Sequence, residues 1–127
     1  MMRQGMKEEG DILPLPAKLD SATSAAVGDM LLSAIRPGAR LIVDGSAVEY
    51  MSAAGVRVLA TALHRAQEVD ARMVLCSFAG AAADCLMVSG FAQMFDVAAS
   101  LEEARGRLAA DGPRTTAQRL HARGTAG

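Results

Sequence analysis

Aromatic side chains are scarce. They make up 3% of the 127 residues, namely Tyr50, Phe78, Phe91 and Phe95, and tryptophan is absent. Single-stranded nucleic acid is usually held by stacking its bases on exposed rings, so that function has little to work with. An excess of one charge sign is missing too. The 13 Lys+Arg stand against 14 Asp+Glu, a formal net charge of −1, which exerts no general pull on a phosphate backbone. Nucleic acid is not expected as a partner. Cysteine is limited to Cys76 and Cys85, outside any C-x-x-C pair and too sparse for a disulfide scaffold or a zinc site. Both lie in apolar surroundings and read as small core residues. Nowhere do ~18 apolar residues run together, so no membrane insertion is expected. Met1 to Asp11 lacks the apolar stretch of a signal peptide, which makes the cytoplasm the expected location.

What is present suits one globular domain. Apolar residues form 51% of the chain and charged residues 21%, enough apolar material for a single core. Residues 1–110 read as the domain. Residues 111–127 differ: Gly112, Pro113, Gly124 and Gly127 alternate with Arg114, Arg119 and Arg123, and only Leu120 could anchor them. A weakly basic, flexible tail is expected there.

Strand and helix signals alternate along the body. Ile12 to Leu15 is a short apolar run in which Pro14 and Pro16 remove backbone donors, as at an edge strand. The turn-like Glu9-Gly10-Asp11 can pair it with Met2 to Lys7 in a hairpin. Val27, Met30, Leu31 and Ala34 fall on one helical face, which Asp20 or Ser21 can cap and Arg36-Pro37-Gly38 can end. Leu41-Ile42-Val43 reads as a strand buried on both faces, and Met73 to Cys76 as a second. Between them Ala47 to Met51 is a further apolar run, and Val56, Leu59, Ala60 and Leu63 mark a helix reaching about Val69. A third helix over Ala81 to Ser89 stops at Gly90. Phe95 to Ala98 is a short strand, and Ser100 with Glu103 is a capping box opening a last helix.

The order β-β-α-β-α-β-α-β-α predicts an α/β fold, a mixed sheet of four to five strands with helices mainly on one face. The expected core is Val27, Leu31, Ile42, Val43, Leu59, Leu63, Val74, Leu75 and Leu86.

Catalytic templates are lacking. There is no G-x-G-x-x-G, no G-x-x-x-x-G-K-[ST] and no G-x-S-x-G. The two histidines, His64 on a helix face and His121 in the tail, have no ligand spacing to other side chains. Neither an enzyme nor a cofactor or metal is expected. The segment Leu41 to Leu59 stands out instead. A strand leads through Asp44-Gly45-Ser46 to a small-residue turn, Ser52-Ala53-Ala54-Gly55, that opens a helix. A helix N-terminus presents unpaired N–H groups and a positive dipole end, and small residues there let another backbone approach. In the plainer account Ser52 is only an N-cap and Gly55 only a packing residue.

This segment resembles the STAS domains, named for sulfate transporters and anti-sigma factor antagonists. Their signature is a strand ending in Asp, then an apolar pair followed by Asp-Ser-Ser-Gly or Ser-Ser-Ala-Gly and an apolar helix. Here Leu41-Ile42-Val43-Asp44 precedes Tyr50-Met51-Ser52-Ala53-Ala54-Gly55-Val56. Ala17-Lys18-Leu19-Asp20 is similar to the family's Gly-x-Leu-Asp, Ser89-Gly90-Phe91 through Phe95 to its x-Gly-apolar stretch, and Ser100 to Ala104 to its last helix start. The likeness covers roughly residues 8–110 and implies a single STAS-like domain.

It further implies a bacterial partner-switching regulator in signal transduction and transcription regulation. Such an anti-sigma factor antagonist binds a GHKL-type ATPase that is both anti-sigma factor and serine kinase. A PPM-type phosphatase reverses the phosphorylation. The partner surface carried over is Ser52, Ala53, Ala54 and Gly55, with Asp20, Ser21, Ser46, Glu49, Tyr50 and Arg57 around it. The family's phosphoserine sits two residues before the glycine, which is Ala53 here, a residue with no hydroxyl to modify. Three readings stay open: a locked binder, an alanine introduced for a native serine, or a third in which Ser52 is a substitute acceptor or the chain belongs to a branch that does not use phosphorylation. A scaffold subunit of a transporter or stress-sensing complex is the alternative role. The eight methionines read mainly as core filler, with an adaptable contact surface as the other option.

Overall fold

A computed structural model describes residues 11–90 and 92–111. Its elements in chain order are β1 (Asp11–Pro14), β2 (Lys18–Leu19), α1 (Ser24–Ala34), β3 (Arg40–Asp44), β4 (Tyr50–Met51), α2 (Ala53–Glu68), β5 (Arg72–Cys76), α3 (Gly80–Val88), β6 (Val97–Ala98) and α4 (Leu101–Asp111), with a 3-10 turn at Ala92–Met94. The expected hairpin strand at Met2 to Lys7 lies outside the described residues. So does the expected tail, apart from Asp111, which ends α4.

The main sheet has the order β1-β3-β5-β6, and every ladder in it is parallel. A separate parallel ladder joins β2 to β4. The central strands read as unbroken apolar runs because both sheet faces are covered. Leu41, Val43, Met73 and Leu75 enter a large core with Val27 and Leu31 of α1, Val56, Leu59 and Leu63 of α2, and Leu86 of α3. On the opposite face Ile42, Val74 and Cys76 meet Ala104 and Leu108 of α4. Three helices therefore cover one face and one covers the other. All nine residues expected in the core are buried.

Local chemistry accounts for the helix ends. The Asp20 carboxylate accepts from the backbone N–H groups of Ala22 (3.0 Å) and Thr23 (3.2 Å), closing the turn into α1. Where α1 crosses α2, Gly28 leaves a Cβ position only 3.0 Å from Val58 Cγ2, so the two helices approach closely. The serine half of the capping box forms as the spacing predicts, with Glu103 N–H donating to Ser100 Oγ (3.0 Å), while the Glu103 carboxylate reaches one residue further back and accepts from Ala99 N–H (3.1 Å). Gly90 takes the left-handed position after α3, with φ 85°.

One reading needs adjustment, and one short strand is added. The strand over Phe95 to Ala98 is confined to Val97–Ala98, because Phe95 is drawn into the large core and Asp96 into an ion network. Within the Ala47 to Met51 run only Tyr50–Met51 is strand, and it pairs with Lys18–Leu19 rather than joining the main sheet.

Candidate functional site

The site is assembled where β2 and β4 meet the start of α2. Glu49 and Tyr50 both donate backbone N–H bonds to the Ala17 carbonyl (2.7 and 3.1 Å), and Ser52 N–H donates to the Leu19 carbonyl (3.0 Å). These bonds lay residues 17–20 alongside residues 49–52. Gly55 makes this approach sterically feasible. A Cβ there would lie 2.5 Å from the Leu19 carbonyl oxygen and 2.8 Å from Leu19 Cγ, so only glycine lets β2 pass over the first turn of α2. Gly55 is accordingly buried, and its part in the site is support.

The loop before β4 is fixed in a similar way. The Asp44 carboxylate accepts from Ser46 N–H at 2.9 Å, an Asx turn that reverses the chain after β3. Gly45 N–H donates to the Cys76 carbonyl at 2.8 Å, and the Phe78 ring occupies the space a Gly45 side chain would fill. Asp44 of the strand-ending pattern is therefore a turn former. Beside it the Cys76 thiol is pushed above its usual range by burial first, and by the Asp44 charge, against a hydrogen bond with Ser77; a thiol held protonated is a poor nucleophile.

Of the residues singled out from sequence, Ser21, Ser46, Glu49, Tyr50, Ala53 and Arg57 are exposed, while Asp20, Ser52 and Ala54 are half-buried. Ala53 is the first residue of α2, with its methyl group open to solvent. Ser52 departs from expectation. It holds the N-cap position with extended backbone (φ −104°, ψ 178°), yet its side chain makes no capping hydrogen bond. Its hydroxyl oxygen is buried without a protein partner. The first-turn N–H groups of α2 are thus left uncapped beside an exposed alanine.

One neighbouring surface escaped the sequence reading. The α3 helix packs on β4 and α2 through Ala82 and Leu86. Its outer side leaves Met87 69% and Val88 84% exposed, and Tyr50 on β4 is 50% exposed. A helix apolar on both sides is a signal for a second packing partner, and GAAADCLMV carries that signal with Asp84 as its one charge. The methionines divide accordingly: Met51 and Met73 are buried, whereas Met87 and Met94 are exposed.

His64 lies on the solvated face of α2, with its ring nitrogen 3.8 Å from Glu68. Among the described residues no group of three His, Cys, Asp or Glu side chains is placed to hold a metal ion, and no helix is long and apolar enough to cross a membrane.

The STAS domain family model matches residues 6–104, which contain every element of the site. The chain belongs to the STAS domain family. Solved structures agree in fold. An anti-sigma-factor antagonist (STAS) domain protein from Planctomyces limnophilus superposes with a TM-score of 0.72 at 18% identity, covering 80% of this chain and 92% of that one. The murine Solute Carrier 26 family member A9 anion transporter, in its inward-facing state, gives 0.70 at 18% identity. That match spans 78% of this chain but 17% of the transporter, so the STAS domain here corresponds to a small part of that protein. No curated protein sequence matches the chain.

Proposed function

We propose that this STAS domain is a partner-switching regulator of the anti-sigma factor antagonist type. Its partner on this reading is a GHKL-type ATPase that serves as anti-sigma factor and serine kinase, and the protein is cytoplasmic and not itself an enzyme. Contact is made by the turn at 52–55, with Asp20, Ser21, Ser46, Glu49, Tyr50 and Arg57 around it and the outer side of α3 adjoining.

The observation that carries the reading is the state of the two adjacent positions at the start of α2. Ala53 is exposed where the family pattern has its phosphoserine, and the Ser52 hydroxyl is buried and faces no solvent. A kinase needs an accessible hydroxyl, so Ser52 is a poor substitute acceptor. The chain is then a constitutive binder: the kinase can be held but cannot release itself by adding ~−1.5 to −2 charges at the interface. A PPM-type phosphatase has nothing to remove from this site.

Titration calorimetry against a GHKL-type kinase from the same organism, with ADP and with ATP, tests this when the chain is compared with its Ala53→Ser variant. Both should bind with ADP. In ATP only the serine variant should gain one phosphate by intact mass and dissociate. Absence of binding by either form would reject the switch. The scaffold reading, supported by the fold match to part of the anion transporter, would then lead.

A further inference from the structure

The first three turns of α2 carry a single charge. From Ala53 to Leu63 the helix reads AAGVRVLATAL, with no acidic side chain in its first turn, so Arg57 stands among small and apolar residues. Ala53 and Arg57 are both exposed. Residues four apart in a helix lie one above the other, their Cβ atoms about 5–6 Å apart. Arg57 is therefore on the same side of α2 as Ala53, one turn further along.

The described fold does not account for a cation at this place. On the far half of α2 the positive groups have a partner, since His64 and Arg65 both face Glu68. Among the described residues no carboxylate lies within ion-pair distance of Arg57. Of the acids in the site, Asp20 is engaged by the backbone N–H groups of Ala22 and Thr23, and Glu49 is beyond ion-pair distance. Arg57 also lies toward the positive end of the helix dipole, where a cation gains no stabilisation.

A surface that covers Ala53 must also deal with Arg57. A guanidinium taken out of water without a counter-charge is costly, and its planar fork of N–H donors is matched by a carboxylate. We infer that the partner seated on the turn at 52–55 presents an acidic side chain, Asp or Glu, one helical turn from Ala53, where it pairs with Arg57. This rests on the contact proposed above and specifies the charge of the partner's face. It also identifies what a phosphate at position 53 would repel, namely the carboxylate paired with Arg57.

Titration calorimetry with a GHKL-type kinase from the same organism, in ADP and at low and high ionic strength, tests the pairing. The parent's affinity should fall as salt rises. At low ionic strength Arg57→Gln should weaken binding by about tenfold or more and flatten the salt dependence. Arg57→Glu should weaken it further, and Arg57→Lys, which keeps the charge but loses the fork, should fall between the parent and Arg57→Gln. Arg65→Gln, at the Glu68 end of the helix, should bind as the parent does. The Tm of Arg57→Gln should match the parent's, because the exposed side chain holds no ion pair in the fold; a lost affinity is then a lost contact. Binding by Arg57→Gln or Arg57→Glu at the parent's strength would overturn the inference and leave the contact at 52–55 standing. No binding by the parent would reject both.

Discussion

Gly55 and Gly106 both lie inside helices, and alanine at the two positions should act with opposite sign. In an open helix alanine is favoured over glycine by about 0.5–1 kcal/mol, because glycine loses more backbone freedom on folding. At Gly106 nothing lies within 4 Å of the position a Cβ would take. The full gain is therefore expected there, a rise in Tm of about 2–5 °C for a domain of this size. At Gly55 the new methyl would meet the Leu19 carbonyl oxygen at 2.5 Å, Leu19 Cγ at 2.8 Å and Met51 Cγ at 3.0 Å. A side chain could rotate away, but the carbonyl is backbone, so β2 itself must move. That movement strains the bond from Ser52 N–H to the same carbonyl. Overpacking costs about 1–3 kcal/mol and a weakened hydrogen bond about 1 kcal/mol. After the propensity gain is subtracted, Gly55→Ala should lose about 1–3 kcal/mol. Urea unfolding followed by circular dichroism measures both variants against the parent. If Gly55→Ala proves as stable as the parent, β2 does not rest on α2 as described, and the steric account of the glycine in the signature fails.

Two further outcomes follow from side chains near the site and behind the sheet. Burial would raise the Asp96 carboxyl, but hydrogen bonds and charge from Arg72 and Arg107 outweigh it and hold the group below its usual range. A carboxyl lowered in the folded state adds stability above the unfolded value of about 3.9, and loses it as pH falls toward the folded one. Urea stability should therefore decline below about pH 5, and Asp96→Asn should flatten that decline while destabilising the neutral protein; profiles that stay parallel would refute the network's role. Ser52→Ala should be neutral or slightly stabilising by the same assay, because the buried hydroxyl lacks a partner. A loss of about 1 kcal/mol, the usual cost of deleting an N-cap serine, would mean that the hydroxyl caps α2 after all.

The central strands and all four described helices were legible, because long elements leave periodic or capping patterns. Leu41-Ile42-Val43 announces a strand covered on both faces, and Val56, Leu59 and Leu63 announce the buried face of α2. The β2–β4 ladder was not legible, since two residues per strand are too few for any period, and its partners are 32 positions apart in sequence, as from Lys18 to Tyr50. The small-residue turn could be placed from its motif, but its inner geometry could not. Ser52 reads as an N-cap by type, whereas the fold turns its hydroxyl inward, a result of how β2 and α2 pack. The exposed side of α3 was missed because an apolar helix with little amphipathic contrast reads as core, whichever side is covered.

The position of Ala53 also constrains how a switch here would act. The helix beneath it is anchored by Val56, Leu59, Ala62, Leu63 and Ala66, all buried. The exposed first residue takes no part in that anchoring. A phosphate added to a serine at 53 would sit near the positive end of the α2 dipole, favourable by about 0.3–1 kcal/mol in the free chain. Nothing in the core would have to rearrange to receive it. The same charge, brought against a partner's surface, must be desolvated and must face whatever acidic groups lie there. A switch at this position therefore works by excluding the partner and leaves the domain folded. In the Ala53→Ser variant, phosphorylation should abolish partner binding while thermal stability is kept or slightly raised. A phosphorylated variant that loses binding and stability together would indicate a conformational switch, which an exposed first-turn residue on a well-anchored helix gives no physical reason to expect.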